Sequence, residues 1–526
     1  MHRRTVLATA TAALAAPRTL RAQSTTTLRF IPQTDVTALD PVWSSAYVTR
    51  NHAYLVFDTL YGQDSKLGAQ PQMVEGHTIE DDGRLWRLTL RPGLMFHDNT
   101  PVLARDCVAS IRRWAKRDGF GQILGATTED LSAPDDRTIQ FRLKSPFPLL
   151  PDALGKIGGN MLPVMPERLA TTDAFKQVPE IVGSGPYRFL PDERIVGSRL
   201  AYAKFDGYAP RPNGTPEWTT GPKVVHFDRV TWSVIPDAAT AAAAMQRNEA
   251  DWWEQPVFDL LPVLRRAPDL RFTIVEVLGN VGILRFNHLF PPFDNPAVRR
   301  ALLGAVDQQE YMDAVVGDEK AAGRTGTGFF TPGTPMANDA GLEALRTPRD
   351  QAAVKRALAT AGYKNEPVVV MTPTDYPRID ALSNVAADML RRCGLNVDLQ
   401  AMDWGTVIQR RNSKAPPSQG GWNAFVTTQN GSDLSNPAVS TTLRANGADA
   451  WAGWPDIPAL ERLRLEWLAQ PGLEGEKRVA RDFQQQAFQD PPFLPLGQFF
   501  QPTVQHRSLT GNPEGLALFW GLRRAG

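Results

Sequence analysis

PVVVMTPTDYPRIDALSNVAADMLRRCGLNVDLQAM, residues 367–402, changes its hydrophobic period twice, and those changes decide the fold class. Residues 368–371 form a short apolar run of the kind a buried strand makes. Ile379, Leu382, Val385, Ala386, Met389, Leu390 and Cys393 then recur at helical spacing until Gly394 ends the stripe. Val397, Leu399 and Ala401 alternate, as on a half-buried strand. Strand, helix and strand in this order make a βαβ unit, which implies parallel pairing and an α/β fold.

Other segments extend that pattern. Asn295-Pro296 opens a helix, with Asn as cap and Pro in the first position, and Asp237 caps another with an Ala-rich body. Helices are expected near 457–468 and 474–488, followed by extended chain at 493–500. Earlier, Trp86, Leu88 and Leu90 alternate with Arg87, Thr89 and Arg91. Pro92-Gly93 then turns the chain, residues 94–96 resume an extended path, and His97-Asp98-Asn99 turns it again. After Pro101, Leu103, Cys107, Val108, Ile111 and Trp114 take up helical spacing.

At 526 residues the chain is long enough for two or three domains. It has 57 basic against 56 acidic residues and no Lys/Arg stripe interleaved with aromatics, so a nucleic-acid partner is not expected. Beyond the first two dozen residues no apolar run approaches the roughly 20 needed to cross a bilayer. The beginning, MHRRTVLATATAALAAPRTLRAQS, has a basic start, an apolar middle and Ala22 at a cleavable position, the pattern of a removed export signal at residues 1–22. Arg3-Arg4 suits a twin-arginine signal, with the general secretory route as the alternative. No Cys follows the apolar segment before Cys107, so no lipid anchor is expected there, and a periplasmic location follows. Cys107 and Cys393 read as two separate buried thiols.

The run Arg91, Gly93, Phe96, His97, Asp98 and Pro101 resembles the signature of bacterial extracellular solute-binding proteins of the oligopeptide, dipeptide and nickel-binding family, family 5, the receptors of ABC importers. Further segments agree in order: Leu39-Asp40-Pro41, Val182-Gly183-Ser184-Gly185-Pro186-Tyr187, Asn248-Glu249-Ala250-Asp251, Phe286-Asn287 with Pro292-Phe293, Ala361-Gly362-Tyr363, and residues 492–496. Asn99 stands where the family usually has Gly, and Leu103 where a capping Thr is common, which removes a cap worth about 1 kcal/mol.

The resemblance implies a two-lobed α/β fold of the type II periplasmic-binding-protein kind, in its large cluster with an extra subdomain, the lobes joined by crossing hinge strands. Lobe I would comprise residues 23–60, 181–272 and 490–526, with an inserted subdomain at 61–180, and lobe II residues 273–489. Crossings near 273–277 and 493–496 would form the hinge. It also implies a ligand site. Asp433, four residues before Pro437, would take a ligand amine at the exit of the run Thr428, Gln429, Asn430 and Gly431. Trp404 and Arg411 would line the cleft, and Ser45, Ala46 and Tyr47 would face them from lobe I. Asn430 and Leu434 depart from the family's Trp and Tyr. Asp433 could instead cap a turn before Pro437.

A carboxylate enclosed by closing lobes loses its hydration, so closure is expected to need a cationic ligand. The expected role is a periplasmic receptor, without catalysis, metal or cofactor, for a short peptide or related amine-bearing solute. It would act as a monomer with a separate ABC permease and ATPase. A nickel or metal-chelate carrier is the alternative, and a secreted hydrolase a remote one, because no H-E-x-x-H or G-x-S-x-G motif occurs.

Overall fold

A computed structural model describes residues 26–346, 349–470, 472–511 and 514–525. The expected export signal at 1–22 lies outside the described residues. Two large sheets organise the chain. The first has seven strands in the order Leu270–Thr273, Thr503–His506, Trp252–Trp253, Thr27–Ile31, Arg229–Ser233, Arg199–Lys204, Tyr187–Phe189. Thr27–Ile31 runs parallel to both its neighbours, and the other pairs are antiparallel. Its core is aromatic: Phe30, Trp232, Trp252 and Phe519 pack with ring centroids 4.9 to 5.6 Å apart, so the C-terminal tail closes this lobe. Asp251 ties strand Thr27–Ile31 to the C-terminal segment, pairing with Arg29 at 2.6 Å and Arg524 at 3.0 Å.

The second sheet has six strands in the order Gly323–Arg324, Phe493–Phe499, Asn280–Phe286, Ala424–Asn430, Pro367–Pro373, Asn396–Met402. The βαβ unit is present: Pro367–Pro373 and Asn396–Met402 are parallel, Val368 opposite Val397, and helix Pro377–Arg392 connects them. Parallel pairing is confined to one side. Asn280–Phe286 pairs antiparallel with both neighbours and is buried along its whole length, as befits a central strand covered on both faces. Cys107 and Cys393 are buried free thiols.

The chain passes from the first sheet to the second through residues 274–279 and returns through 500–502. The second crossing therefore differs from the expected 493–496. Those residues lie inside Phe493–Phe499, whose unbroken burial makes it a core strand of the second lobe.

A four-stranded antiparallel sheet, Val74–Glu80, Leu85–Leu90, Thr138–Leu143, Thr128–Ser132, packs with helix Ala104–Trp114 to form a smaller body. The expected extended segment at 94–96 is reduced to a single bridge, Met95 to Pro101, around a turn in which Asn99 takes φ 65°. Asp106 keeps the other half of a capping box, its carboxylate accepting the Leu103 N–H at 2.9 Å, while the side-chain acceptor that a Thr would offer at 103 is missing. The residues between, Arg91 and His97, fasten this body to the first lobe. Arg91 donates to the carbonyls of Gln72 (2.8 Å) and Ala209 (3.1 Å), and the His97 ring meets the Gly185 carbonyl at 2.9 Å. Burial lowers His97 to about 4, so the ring is neutral. Gly183 must be glycine, since a Cβ there would lie 2.0 Å from the Val56 carbonyl oxygen.

Candidate interlobe ligand site

The first side of the site is set by Asp40. Its buried carboxylate accepts the Val42 and Val178 N–H groups at 3.0 Å each and pairs with Arg113 at 2.6 Å. That fixes the loop leading to Ser45 and Ala46 and to helix Tyr47–Val56. The opposing side is the end of strand Ala424–Asn430 and the tight turn Gly431–Leu434. Gly431 donates to the Gly279 carbonyl at 2.8 Å, which sets this turn against the crossing segment.

The two sides meet at Asp433. The Tyr47 hydroxyl donates to its carboxylate at 2.5 Å and accepts the Asn430 N–H at 2.7 Å. The inserted body closes a third side, because a Cβ on Gly158 would fall 2.2 Å from Asp433 Oδ1. Burial raises the Asp433 carboxyl, while Lys156, Tyr47 and Arg50 pull it back. Two expectations change here. The acid has a neutral donor from the facing lobe, so closure does not strand it without a partner. Nor does it cap the following turn: Asn436 accepts the Ala438 and Val439 N–H groups at 2.9 and 3.0 Å, and Tyr47 is the hydrogen-bond donor to Asp433 among the described residues.

Arg411 follows helix Trp404–Arg410, which Asp403 caps by accepting the Thr406 N–H at 2.9 Å. Its guanidinium crosses to Ser45 Oγ at 3.1 Å and lies 5.1 Å from the Trp451 ring and 5.8 Å from the Trp404 ring. Its Nε finds no acceptor among the described residues, and burial and then Arg117 lower the group to about 10. Ser45, Ala46, Tyr47, Trp404, Arg411, Thr428 and Gln429 line one cavity of about 20 Å³, room for little more than a water. Asn430, Gly431 and Asp433 stand beside it. Of the tryptophans, Trp252 and Trp422 are core residues.

A larger chamber of about 580 Å³ adjoins this cavity and shares Gln33, Thr34 and Tyr376 with it. It opens beyond the carboxyl ends of Thr27–Ile31, Arg229–Ser233 and Trp252–Trp253, the place where open α/β sheets hold ligands. Trp253, Val257, Phe258 and Val315 supply apolar wall. Sequence reasoning missed this chamber. The signal available was the strand-end position of Pro32-Gln33 and of Asp375-Tyr376 before a helix.

Gln33 bridges the lobes. Its N–H and side-chain amide donate to Glu254 at 2.8 and 3.1 Å, while its amide oxygen accepts from the Tyr376 hydroxyl and from Arg378. Burial, and then the nearby Glu276, raise Glu254 to about 7. Arg50 pairs with Glu276 at 2.8 Å, and Asn430 donates to the same oxygen at 2.8 Å. The cleft thus offers a carboxylate, guanidinium groups, amides, hydroxyls and aromatic faces, groups suited to holding a polar solute. Histidines lie elsewhere, His52 against Tyr202 and His77 against Tyr61. Among the described residues no group of three or more His, Cys, Asp or Glu could hold a metal ion, and no helix is long and apolar enough to cross a membrane.

Solved structures share this architecture. AgaA from A. tumefaciens R10, in complex with agropinic acid, superposes with a TM-score of 0.78 at 19% identity, covering 95% of this chain and 99% of that one. DppA from Helicobacter pylori with the peptide STSA gives 0.78 at 19%, covering 95% and 98%. By sequence, the "Probable peptide ABC transporter periplasmic-binding protein y4tO" of Sinorhizobium fredii is 36% identical over 524 residues, 98% of this chain and 97% of that protein. The "Glutathione-binding protein GsiB" of Pectobacterium atrosepticum is 26% identical over 439 residues, 77% and 80% of the two chains. Residues 68–450 match the model for "Bacterial extracellular solute-binding proteins, family 5 Middle". A family match across most of the chain, on a two-lobed frame with a chamber between the lobes, has one meaning: this chain belongs to the bacterial extracellular solute-binding proteins of family 5.

Proposed function

We propose that this chain is a periplasmic receptor that captures a short peptide or related amine-bearing solute between its lobes and delivers it to an ABC permease and ATPase carried on separate chains. It acts as a monomer and leaves the cytoplasm on the signal at residues 1–22, by the twin-arginine route. The observation that carries the reading is Asp433, buried in the cleft with a neutral hydroxyl as its donor. A ligand ammonium can replace Tyr47 there and bring the full opposite charge that the neutral hydroxyl lacks. Arg411, without a carboxylate partner among the described residues, is a place for a carbonyl group of the same solute. The relative named as a peptide ABC transporter binding protein supports the substrate class.

Native mass spectrometry of protein taken from the periplasm tests this. A carried solute with a free amine is expected. A carried solute without a basic nitrogen would refute the substrate class, and turnover of it would refute the receptor role.

A further inference from the structure

One wall of the 580 Å³ chamber is the first turn of helix Pro377–Arg392. The volume lies within the range of small-molecule sites, about 300–1,000 Å³. Arg378 in that turn is only 8% exposed. One of its amino groups, Nη2, donates to the Tyr376 hydroxyl at 2.7 Å and to the Gln33 amide oxygen at 3.4 Å, both neutral acceptors. Nε and Nη1 find no acceptor among the described residues. The guanidinium also lies 5.2 and 5.6 Å from the ring faces of Tyr376 and Phe499. Glu254 senses the charge, but its oxygens are taken by Gln33 and Asn51. Leaving a buried donor unmade costs about 1–3 kcal/mol, more when the group is charged. The N-terminus of a 16-residue helix adds a positive dipole end on the same wall, although the Ile379 and Asp380 N–H groups already donate to the Tyr376 carbonyl at 3.0 Å each.

Carboxylates stand at other parts of the chamber. Asp375 accepts the Trp404 N–H at 2.7 Å, Asp403 caps the next helix, and Asp35 accepts the Gly197 N–H at 2.9 Å with its other oxygen unpartnered among the described residues. Burial, and then Asp403 and Asp35, raise the Asp375 carboxyl, so these acids share one region of the chamber. They repel a plain anion and attract a cation. A chamber with a cationic wall and an acidic rim selects a ligand bearing both charges.

We propose that Arg378 is the residue that recognises an acid group of the solute, and that the chamber therefore takes a zwitterion whose carboxylate meets Arg378 and the helix terminus. A carboxylate supplies acceptors for the donors that the protein leaves unmade; Nε and Nη1 are buried here, so the guanidinium turns toward the chamber to present the bidentate edge a carboxylate favours. The assignment rests on reading the chain as a receptor for a small peptide-like solute, and it goes further by naming the group that discriminates.

Calorimetry with tri-alanine and tri-alanine amide, on wild type, Arg378→Met and Arg378→Lys, tests it. Wild type is expected to prefer the acid to the amide at least tenfold. Arg378→Met should bind both alike, and Arg378→Lys, which keeps the charge without the fork, should keep part of the preference. A Met variant that discriminates as wild type does overturns the assignment, as does a wild type without preference. Should the Met variant fail to fold, the Lys variant decides, full wild-type preference overturning the proposal and a reduced one supporting it. If wild type binds neither compound, the peptide reading fails by itself. The decision then passes to native mass spectrometry of periplasmic protein. An acid-bearing solute carried by wild type and lost in the variant supports Arg378; a solute without an acid, one that the variant retains, or none, overturns it.

Discussion

The Tyr47 hydroxyl and the Asp433 carboxylate, 386 residues apart in sequence, meet at 2.5 Å across the cleft and hold the lobes at one point. A hydrogen bond to a charged group contributes about 1.5–3 kcal/mol. Tyr47→Phe removes it and leaves the carboxylate and the Asn430 N–H needing water, which an open cleft supplies more freely than the single-water cavity beside them. Small-angle scattering of ligand-stripped protein should therefore give a larger radius of gyration for Tyr47→Phe than for wild type. Equal radii would show that this contact does not hold the lobes together.

Asp433→Asn keeps the size of the side chain and removes its charge. Affinity for tri-alanine should fall at least tenfold, about 1.4 kcal/mol. N-acetyl-tri-alanine, which has no ammonium, should bind wild type and variant alike. A variant as tight as wild type for the free amine would remove Asp433 from the site.

Gly431 joins the candidate site to the crossing segment. A Cβ at this position would lie 2.2 Å from the Leu278 carbonyl oxygen, a backbone atom that cannot swing aside. Gly431→Ala must push the turn carrying Asp433 away from residues 274–279. The expected result is a loss of about 1–3 kcal/mol in stability, as for other overpacked sites, accompanied by weaker tri-alanine binding. A variant that melts like wild type and binds like it would show that the turn can move without consequence.

The legible parts of the molecule were those whose partners are near in sequence. The βαβ unit at 367–402 declares itself because strand, helix and strand are consecutive and each buries one face or run. Asp433 is legible only through its spacing from Pro437. The chamber is not legible, since residues 32–37, 234–238, 253–259 and 375–381 come together there from strand ends far apart in the chain. Arg378 reads locally as an ordinary first-turn helix residue, and nothing in its neighbours announces that it is buried. The second crossing was misplaced for a related reason: a run such as FLPLGQF says that a strand is apolar, not which sheet receives it.

Glu254 makes the stability of the fold depend on pH. Its carboxyl is raised from 4.5 to about 7, by burial first and by Glu276 after it, against the pull of the Gln33 N–H, Arg50 and Arg378. An acid raised on folding binds its proton more tightly in the native state. Between about 4.5 and 7 the native protein therefore holds more protons than the unfolded chain, and stability falls as pH rises through that window. The limit is on the order of 3 kcal/mol for a shift of this size in a buried group. Glu254→Gln cannot titrate, so its melting temperature relative to wild type should climb between pH 5 and pH 7.5, whatever the offset from exchanging a hydrogen-bond acceptor for a donor toward Gln33 and Asn51. Parallel pH profiles for the two proteins would mean that Glu254 keeps an ordinary carboxylate pKa, and that Arg50 and Arg378 offset its burial in full.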